Sequence, residues 1–374
     1  MTYLDYQATT PLAPEARAAM LPWLDKFANP HSAHRDGRAA AAAVAFARDQ
    51  VAPGFGEGGR TIFTGSATES INWAMQGVAA SAAPERRRIL VLATEHAAVL
   101  DTADALTREG FEVERVPVGR DGLVDLPSLA ASLDERVLLV AAMLVNNEIG
   151  VIQPVAAIAD AAHRVGALML CDAVQGFGRM AIPAGPDLVA ACAHKVNGPK
   201  MIGALWVRDG IDLPPLLHGG GQEGGERSGT LSPMLCEGFG AATAVAVARR
   251  TEDLAHVEDL WLAAREVLGE GWIVQGSSQA RYRGNLNVRR EGLDAARLLS
   301  DCRDIAFSLG SACASGSGRP SHVLRAIGLS SSDSRNAIRL GFGRYTTRAE
   351  LVNACSRLRI AADAQASFHA EVTV

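Results

Sequence analysis

The sequence predicts an α/β protein with a mostly parallel central sheet covered by helices, followed by a smaller α+β part. Between about residues 60 and 210, short apolar runs alternate with segments whose apolar residues recur every three or four positions. Several of these runs are apolar on both faces, which is typical of strands covered by helices on both sides. The chain has 374 residues, 48% of them hydrophobic, so it can bury a large core.

The larger part is expected to run from residue 13 to 244. Its predicted strands are TIFTG (61–65), RILVLAT (88–94), FEVERVPV (111–118), VLLVAAMLV (137–145), ALMLCD (167–172), DLVAAC (187–192) and GALWVR (203–208). Helical spacing predicts helices over 13–27, 67–83, 97–109, 126–133 and 154–165, and the alanine-rich tract 39–52 is a further helix because alanine is the best helix former.

The smaller domain is expected to comprise residues 245–374 together with residues 1–12. A helical stretch over about 232–268 leads into a strand–helix–strand pattern whose strands are GNLNVRR and AFSLG. The opening YLDYQATTP is a short extended segment, which we expect to join this domain.

Composition excludes several classes of function. The net charge is −5, and no basic block with interleaved aromatic residues suggests nucleic-acid binding. No apolar run is long enough to cross a bilayer, and the first residues have neither a basic leader nor an apolar signal core. We therefore expect a cytoplasmic, enzyme-like protein that acts neither on nucleic acid nor in a membrane.

The six cysteines do not form a metal or disulfide pattern. No two are spaced as C-x-x-C, which argues against structural zinc, and the expected compartment argues against disulfides. Five are interpreted as buried filler. Cys313 differs because its surroundings, LGSACASGSGRPSH (309–322), are too polar and glycine-rich for a core, so a mobile loop with a reactive thiol is predicted.

Polar residues follow the predicted strands of the larger domain. Ligands of open α/β sheets bind beyond the carboxyl ends of the strands, so these residues are expected to converge on one edge. They comprise GSATES (65–70), His96, the run Asn146, Asn147 and Glu148, Asp172 with Gln175, and His194 with Lys195.

This set is what a lysine-bound pyridoxal phosphate requires. The cofactor needs a lysine for its imine, a carboxylate against its ring nitrogen, a flat group over the ring and donors for its phosphate. Lys195, Asp172, His96 and the helix start at Thr68 could supply them. Each residue also has an ordinary structural interpretation: a lysine at a strand end, a histidine held by the backbone at a helix start, and a capping box in SATES.

Two further clusters leave alternatives open. The segment HGGGQEGGERSGT (218–230) is either a linker or a loop whose glycines allow close approach to a ligand or partner. Arg339, in NAIRLGFGRYTT, could clamp a carboxylate bidentately or form a surface salt bridge.

These residues together resemble the cysteine desulfurases of the NifS/IscS type, in the class V aminotransferase group of pyridoxal-phosphate enzymes. The resemblance covers nearly the whole chain and implies a transferase of fold type I. It rests on the segments YLDYQATTP, NPHSAHRDG, GSATESIN, TEHAAVL, VNNEIGVIQP, CDAVQGFG, HKVNGPKMIGAL, GGGQEGGERSGT, GSACASGSGRPSHVLRAIGL and IRLGFGRYTT.

The resemblance implies a role for each site residue. Lys195 would hold the cofactor and move protons, His96 would stack on the ring and assist acid–base steps, and Asp172 would pair with the ring nitrogen. Cys313 would take sulfur from L-cysteine as a persulfide and release alanine; no permanent metal site is implied, only a transient iron–sulfur contact at Cys313. The other implied contacts are Gln175 and Asn147 to the ring hydroxyl, Thr68, Ala67, Cys192 and His194 to the phosphate, Thr230 to the phosphate of a partner subunit, and Asn147 and Arg339 to the substrate carboxylate.

The resemblance also implies a homodimer that passes sulfur to an acceptor protein, such as an iron–sulfur scaffold. Cys192 stands where the family usually has serine, which predicts weaker phosphate binding because a thiol is the weaker donor. The sequence ends soon after the last shared segment, which leaves the acceptor open. The alternatives are a selenocysteine lyase, another class V enzyme, or an inactive sulfur-relay partner.

Overall fold

The computed structural model describes residues 1–310 and 321–372. Its strands are β1 (Thr2–Tyr3), β2 (Gly59–Thr64), β3 (Arg88–Leu92), β4 (Glu112–Val116), β5 (Val137–Ala141), β6 (Leu168–Asp172), β7 (Leu188–Cys192), β8 (Gly203–Arg208), β9 (Ile273–Val274), β10 (Asn285–Arg289), β11 (Ile305–Ala306), β12 (Ser308–Leu309) and β13 (Ala337–Gly341). Its α-helices are α1 (Pro14–Met20), α2 (Arg35–Val51), α3 (Ala67–Ala80), α4 (Ala97–Thr107), α5 (Leu126–Ser132), α6 (Val155–Arg164), α7 (Pro233–Ala248), α8 (Arg250–Leu268), α9 (Ala295–Asp301), α10 (His322–Ala326), α11 (Ser331–Arg335) and α12 (Arg348–Val372).

The central sheet has seven strands in the order β2-β8-β7-β6-β5-β3-β4. Five neighbouring strands pair in parallel, in the order β7, β6, β5, β3 and β4. Strand β8 runs antiparallel to both of its neighbours, β2 and β7. The predicted α/β fold with a mostly parallel sheet is therefore confirmed.

Both faces of this sheet are buried. Leu90 and Leu92 of β3 pack into a core that helices α2, α6 and α7 cover. Their neighbours Ile89 and Val91 point the other way, into a core beneath α3 and α4. Because successive strand residues face opposite sides, two covered faces require a continuous apolar run, which is the pattern seen in the sequence.

A second sheet, of order β12-β13-β10-β9, lies in the C-terminal part and is antiparallel. Its core includes residues of α8, α9 and α12. Strand β1 pairs with β11, with Thr2 opposite Ile305, so the first residues contact this part as expected. The domain boundaries 13–244 and 245–374 themselves stay a prediction.

The first helix prediction was too long. The helix expected over 13–27 ends at Met20 and continues as a short 3-10 turn, Leu21–Trp23, because Pro22 cannot donate to the helix ladder and its ring clashes with the preceding turn. The helical stretch expected over 232–268 is confirmed, and it consists of two helices that meet at Arg249. Among the described helices, none combines the length and apolarity needed to cross a membrane.

Candidate active site

A cavity of about 320 Å³ opens beyond the carboxyl ends of the parallel strands. Ten residues that the sequence singles out line it: Ala67, Thr68, His96, Asn147, Asp172, Gln175, Cys192, His194, Lys195 and Arg339. Thr230 is exposed and does not line this cavity. Cys313 lies outside the residues that the structure describes.

Strand direction explains why these residues meet. The parallel strands β3, β5, β6 and β7 end at one edge of the sheet, and β2, which pairs with β8 antiparallel, ends there as well. Residues that follow each strand are therefore brought together although they are far apart in the chain.

Asp172 is the last residue of β6 and is only 7% exposed. Its Oδ1 accepts a hydrogen bond from the Val174 N–H at 2.9 Å. Burial raises the pKa of its carboxyl group, and the nearby charges of His96 and Lys195 offset part of that rise. In the described part of the chain no side chain forms an ion pair with Asp172, so its carboxylate is suited to a cation bound in the cavity.

Lys195 ends a 3-10 turn, Ala193–Lys195, that directly follows β7. Its Nζ donates to the carbonyl oxygens of Gln7 and Ala8, the latter at 2.8 Å. Burial lowers the pKa of its ammonium group from 10.5 to about 8. A larger share of neutral, nucleophilic amine is thus present near physiological pH than for an ordinary lysine.

The two histidines of the cavity are held by different contacts. His96 is the N-cap of α4, and its Nδ1 accepts from the Ala98 N–H at 3.1 Å. The structural interpretation of a histidine held at a helix start is therefore right, and the same ring also lines the cavity. His194 Nδ1 lies 3.2 Å from Thr9 Oγ1, and burial lowers the His194 pKa to about 4, so this imidazole is neutral at physiological pH.

The start of α3 forms the anion-binding end of the cavity. Ser66 caps the helix by accepting from the Glu69 N–H at 3.1 Å. The Glu69 carboxylate accepts from Gly65 N–H at 2.9 Å and pairs with Arg227 at 2.7 Å, so only half of the predicted capping box forms. The first N–H groups of a helix lack partners within it and attract anions.

Arg339, on β13, is buried and 3% exposed. It pairs with Asp5 at 2.9 Å and donates to the Asn147 carbonyl oxygen and to Ser308 Oγ, each at 3.0 Å. The alternative of a surface salt bridge is wrong, because this ion pair is buried beside the cavity. A guanidinium held by several contacts can present its remaining donors in a fixed direction.

Cys192 closes β7 and is 3% exposed. Burial raises the pKa of its thiol to about 12. The thiol stays protonated at neutral pH, so Cys192 is a weak hydrogen-bond donor to the cavity and not a nucleophile.

Sequence reasoning missed Gln7 and Arg179. Gln7 is buried, and its carbonyl oxygen accepts from both Lys195 Nζ and Gln175 Nε2. Arg179 donates to the Gln175 side chain and the Lys195 backbone from behind the cavity. The only signal for Gln7 is a polar residue within the extended YLDYQ segment, and nothing in the sequence shows that this segment reaches the sheet edge.

The fold and the cavity define an α/β enzyme whose site is built around a strand-end lysine and a buried carboxylate. A family model described as aminotransferase class-V matches residues 2–353. A curated cysteine desulfurase, IscS of Rickettsia rickettsii (strain Iowa), is 40% identical over 361 residues, which cover 93% of this chain and 88% of that protein.

Solved structures agree with this match. A NifS-like protein has a TM-score of 0.88 at 32% identity, covering 96% of this chain and 98% of that one. A structure described as SspA in complex with cysteine has a TM-score of 0.79 at 32% identity, covering 93% of this chain and 100% of the other. The chain belongs to the class-V aminotransferase family, which confirms the resemblance, and its fold is fold type I of the pyridoxal-phosphate enzymes.

The cavity fits pyridoxal phosphate, the cofactor of this family. Lys195 offers an amine with a lowered pKa. Asp172 offers a buried carboxylate suited to a cation. At the start of α3, a Cβ added to Gly203 would lie 2.6 Å from the Ser66 carbonyl carbon and 2.9 Å from the Ala67 nitrogen. Any larger residue at position 203 would therefore displace the backbone that forms the anion-binding end of the cavity.

Proposed function

We propose that this chain is a pyridoxal-phosphate-dependent cysteine desulfurase, which converts L-cysteine to L-alanine and holds the released sulfur as a persulfide on Cys313. The observation that carries the proposal is the pairing, in one cavity, of the low-pKa amine of Lys195 with the buried carboxylate of Asp172. The likeness to cysteine desulfurases supports the choice of substrate.

The cofactor, when bound, supplies an electron sink for the substrate carbon. Lys195 would hold the cofactor through its Nζ, and the same amine, when free, would move the proton at the substrate Cα. Asp172 would pair with the ring nitrogen and keep it protonated. His96, whose ring is fixed by its bond to the Ala98 N–H, would lie against the cofactor ring.

The remaining residues bind the ends of the cofactor and the substrate. Gln175 and Asn147 would contact the ring oxygen, and Arg339, with Asn147, would bind the substrate carboxylate. Arg339 would then share its donors between Asp5 and the substrate. Thr68, the Ala67 backbone N–H, His194 and Cys192 would hold the phosphate.

Sulfur transfer balances without an external oxidant. The Cys313 thiolate forms a bond to the sulfur of cysteine as the carbon–sulfur bond breaks, and the carbon gains a proton, so cysteine plus one thiol becomes alanine plus one persulfide. A free thiol is only a few per cent ionised at neutral pH, and His96 is our candidate for the base that accepts its proton. Its unprotonated nitrogen is the Nδ1 that accepts from the Ala98 N–H, so His96 would give up that bond when it takes the thiol proton.

We further propose a cytoplasmic homodimer in which Thr230 contacts the phosphate of the partner subunit, and in which Cys313 passes its sulfur to an acceptor protein. The exposure of Thr230, away from its own cavity, supports a contact outside its own chain. An iron–sulfur scaffold is one candidate acceptor.

The test is turnover of L-cysteine by the purified protein loaded with the cofactor. We expect alanine and, with a thiol reductant present, an equal amount of sulfide. The proposal would be contradicted by a loaded protein that transfers the amino group of an amino acid to a keto acid but forms neither alanine nor sulfide from L-cysteine.

A further inference from the structure

Arg179 contacts two cavity residues from behind. Its Nη1 donates to Gln175 Oε1 at 2.8 Å, and its Nη2 donates to the Lys195 carbonyl oxygen at 2.6 Å. Arg179 does not itself line the cavity. Arg179 therefore makes no direct contact with a molecule bound in the cavity, and its hydrogen bonds reach that molecule only through Gln175 and Lys195.

The contact with Arg179 fixes which end of the Gln175 amide faces which way. A guanidinium carries only donors, so the Gln175 atom beside it must be the oxygen. The amide nitrogen then lies on the other side, where it donates to the Gln7 carbonyl oxygen at 3.0 Å. A flipped amide would place donor against donor at Arg179 and acceptor against acceptor at Gln7, so both contacts select one orientation.

The charge of Arg179 is not used in a structural ion pair. Within residues 1–310 and 321–372, no carboxylate lies within ion-pairing distance of its guanidinium. The guanidinium stacks over the Tyr282 ring, 5.1 Å from its centroid. By contrast Arg344, which shares a small pocket with Arg179 and Tyr282, pairs with Asp253 at 2.6 Å.

We propose that Arg179 is a positioning residue that locks the Gln175 amide with its nitrogen toward the Gln7 side of the cavity and holds the backbone of Lys195 beside it. One N–H of Gln175 Nε2 has no partner among the described residues and is available to an oxygen acceptor. The inference rests on the proposed cofactor, whose ring oxygen is such an acceptor.

The charge acts in the same direction as the geometry. After burial, which is the largest cause, the guanidinium of Arg179 contributes to the lowered pKa values of Lys195 and His194. A cation behind the site favours a neutral amine and a negatively charged ring oxygen in front of it.

The test is the dissociation constant of pyridoxal phosphate for the apo protein, measured with Arg179→Met, Gln175→Leu and the double variant. Arg179→Met keeps an unbranched apolar stem and removes the guanidinium with all of its donors. We expect each single variant to weaken binding about tenfold, as for the loss of a hydrogen bond to a charged group. In the double variant, the loss of cofactor affinity is expected to be much smaller than the product of the two single losses, because the hydrogen bond of Arg179 acts through Gln175.

Two further variants separate positioning from general loosening. Arg179→Lys, which keeps one charged donor, should recover part of the affinity and of the visible absorption band, whereas Arg179→Met should not. Arg344→Met, in the same pocket, should lower the unfolding temperature of the apo protein without changing cofactor binding.

Additive effects of Arg179→Met and Gln175→Leu, or an equal loss of binding in Arg344→Met, would overturn the positioning role. A wild-type protein that binds the cofactor but releases no alanine from cysteine would instead contradict the proposed function and leave this inference standing. The two failures are therefore distinguishable.

Discussion

Burial moves the pKa values of the cavity residues in opposite directions. It raises the pKa of the Asp172 carboxyl, lowers that of Lys195 to about 8 and lowers that of His194 to about 4. Desolvation disfavours the charged form of any group, whichever its sign. A bound molecule that carries charges of its own, as a phosphorylated pyridine does, therefore offsets the free-energy cost of burying these groups.

At Asp172 we expect Asp172→Asn to leave the protein folded and to reduce turnover of cysteine about a hundredfold or more, since breaking a buried ion pair costs about 3 kcal/mol or more. The amide cannot keep a ring nitrogen protonated. Thermal unfolding of the apo variant should show a stability equal to or above that of the wild type, because a costly buried charge is removed. Near-native turnover would mean that another group holds the ring nitrogen.

Lys195 makes a prediction about pH. The amine that attacks the cofactor aldehyde is the neutral form, which appears as the pH rises through the lysine pKa of about 8. The rate of cofactor attachment to the apo protein should therefore rise with pH and level off above about 8, below the range of an ordinary lysine near 10.4. Stopped-flow absorbance across this range measures it. A rate that still rises steeply above about pH 9 would show that burial does not lower this pKa.

At the scale of elements, the site depends on how closely β8 approaches the start of α3. Gly203 begins β8 and lies against Ser66 and Ala67, with no room for a Cβ between them. This contact fixes the backbone N–H groups at the helix start, which form the anion-binding end of the cavity.

We expect Gly203→Ala to push the start of α3 away and to lower the free energy of unfolding by about 1–3 kcal/mol, as overpacking does. Its affinity for pyridoxal phosphate should fall several-fold, measured by titration of the apo protein. Gly271→Ala is the matched control, since nothing lies within 4 Å of a Cβ at that exposed glycine. If both variants bound the cofactor as the wild type does, the close approach would not matter for binding.

Much of the cavity could be predicted from strand order alone. Asp172 and Lys195 follow apolar runs, and parallel strands end at one edge, so their convergence follows from the pattern. Gln7 and Asp5 could not be predicted in this way, because they reach Lys195 and Arg339 from a segment far away in the chain. A single sequence shows which residues end a strand but not which distant segment packs against that end.

At the scale of the molecule, the glycine-rich segment 218–230 is held against α2 and β2. Arg48 pairs with Glu223, whose carboxylate also accepts from the Phe63 N–H, and Arg60 pairs with Glu226 at 2.6 Å. These contacts hold the segment that leads to the exposed Thr230 in a defined path. A residue held in this way can serve a neighbouring subunit.

The proposed dimer makes a complementation prediction. Dimers of Lys195→Ala subunits alone, or of Thr230→Ala subunits alone, should have weak activity at limiting cofactor. A mixed dimer of the two variants should contain one complete site, because that site would take Lys195 from one chain and Thr230 from the other. Cysteine turnover of the co-expressed pair should exceed that of either variant. A mixture no more active than the mean of the two would show that Thr230 does not act across subunits.

The central claim, that Cys313 takes sulfur from cysteine, is tested most directly by mass spectrometry of the protein after treatment with L-cysteine. The account predicts one added sulfur on the peptide that contains Cys313, with alanine released in equal amount. Cys313→Ala should still bind the cofactor and cysteine, since neither needs this thiol, but should carry no added sulfur and release no alanine. Added sulfur on Cys192 or Cys302 instead, or normal turnover by Cys313→Ala, would contradict the account.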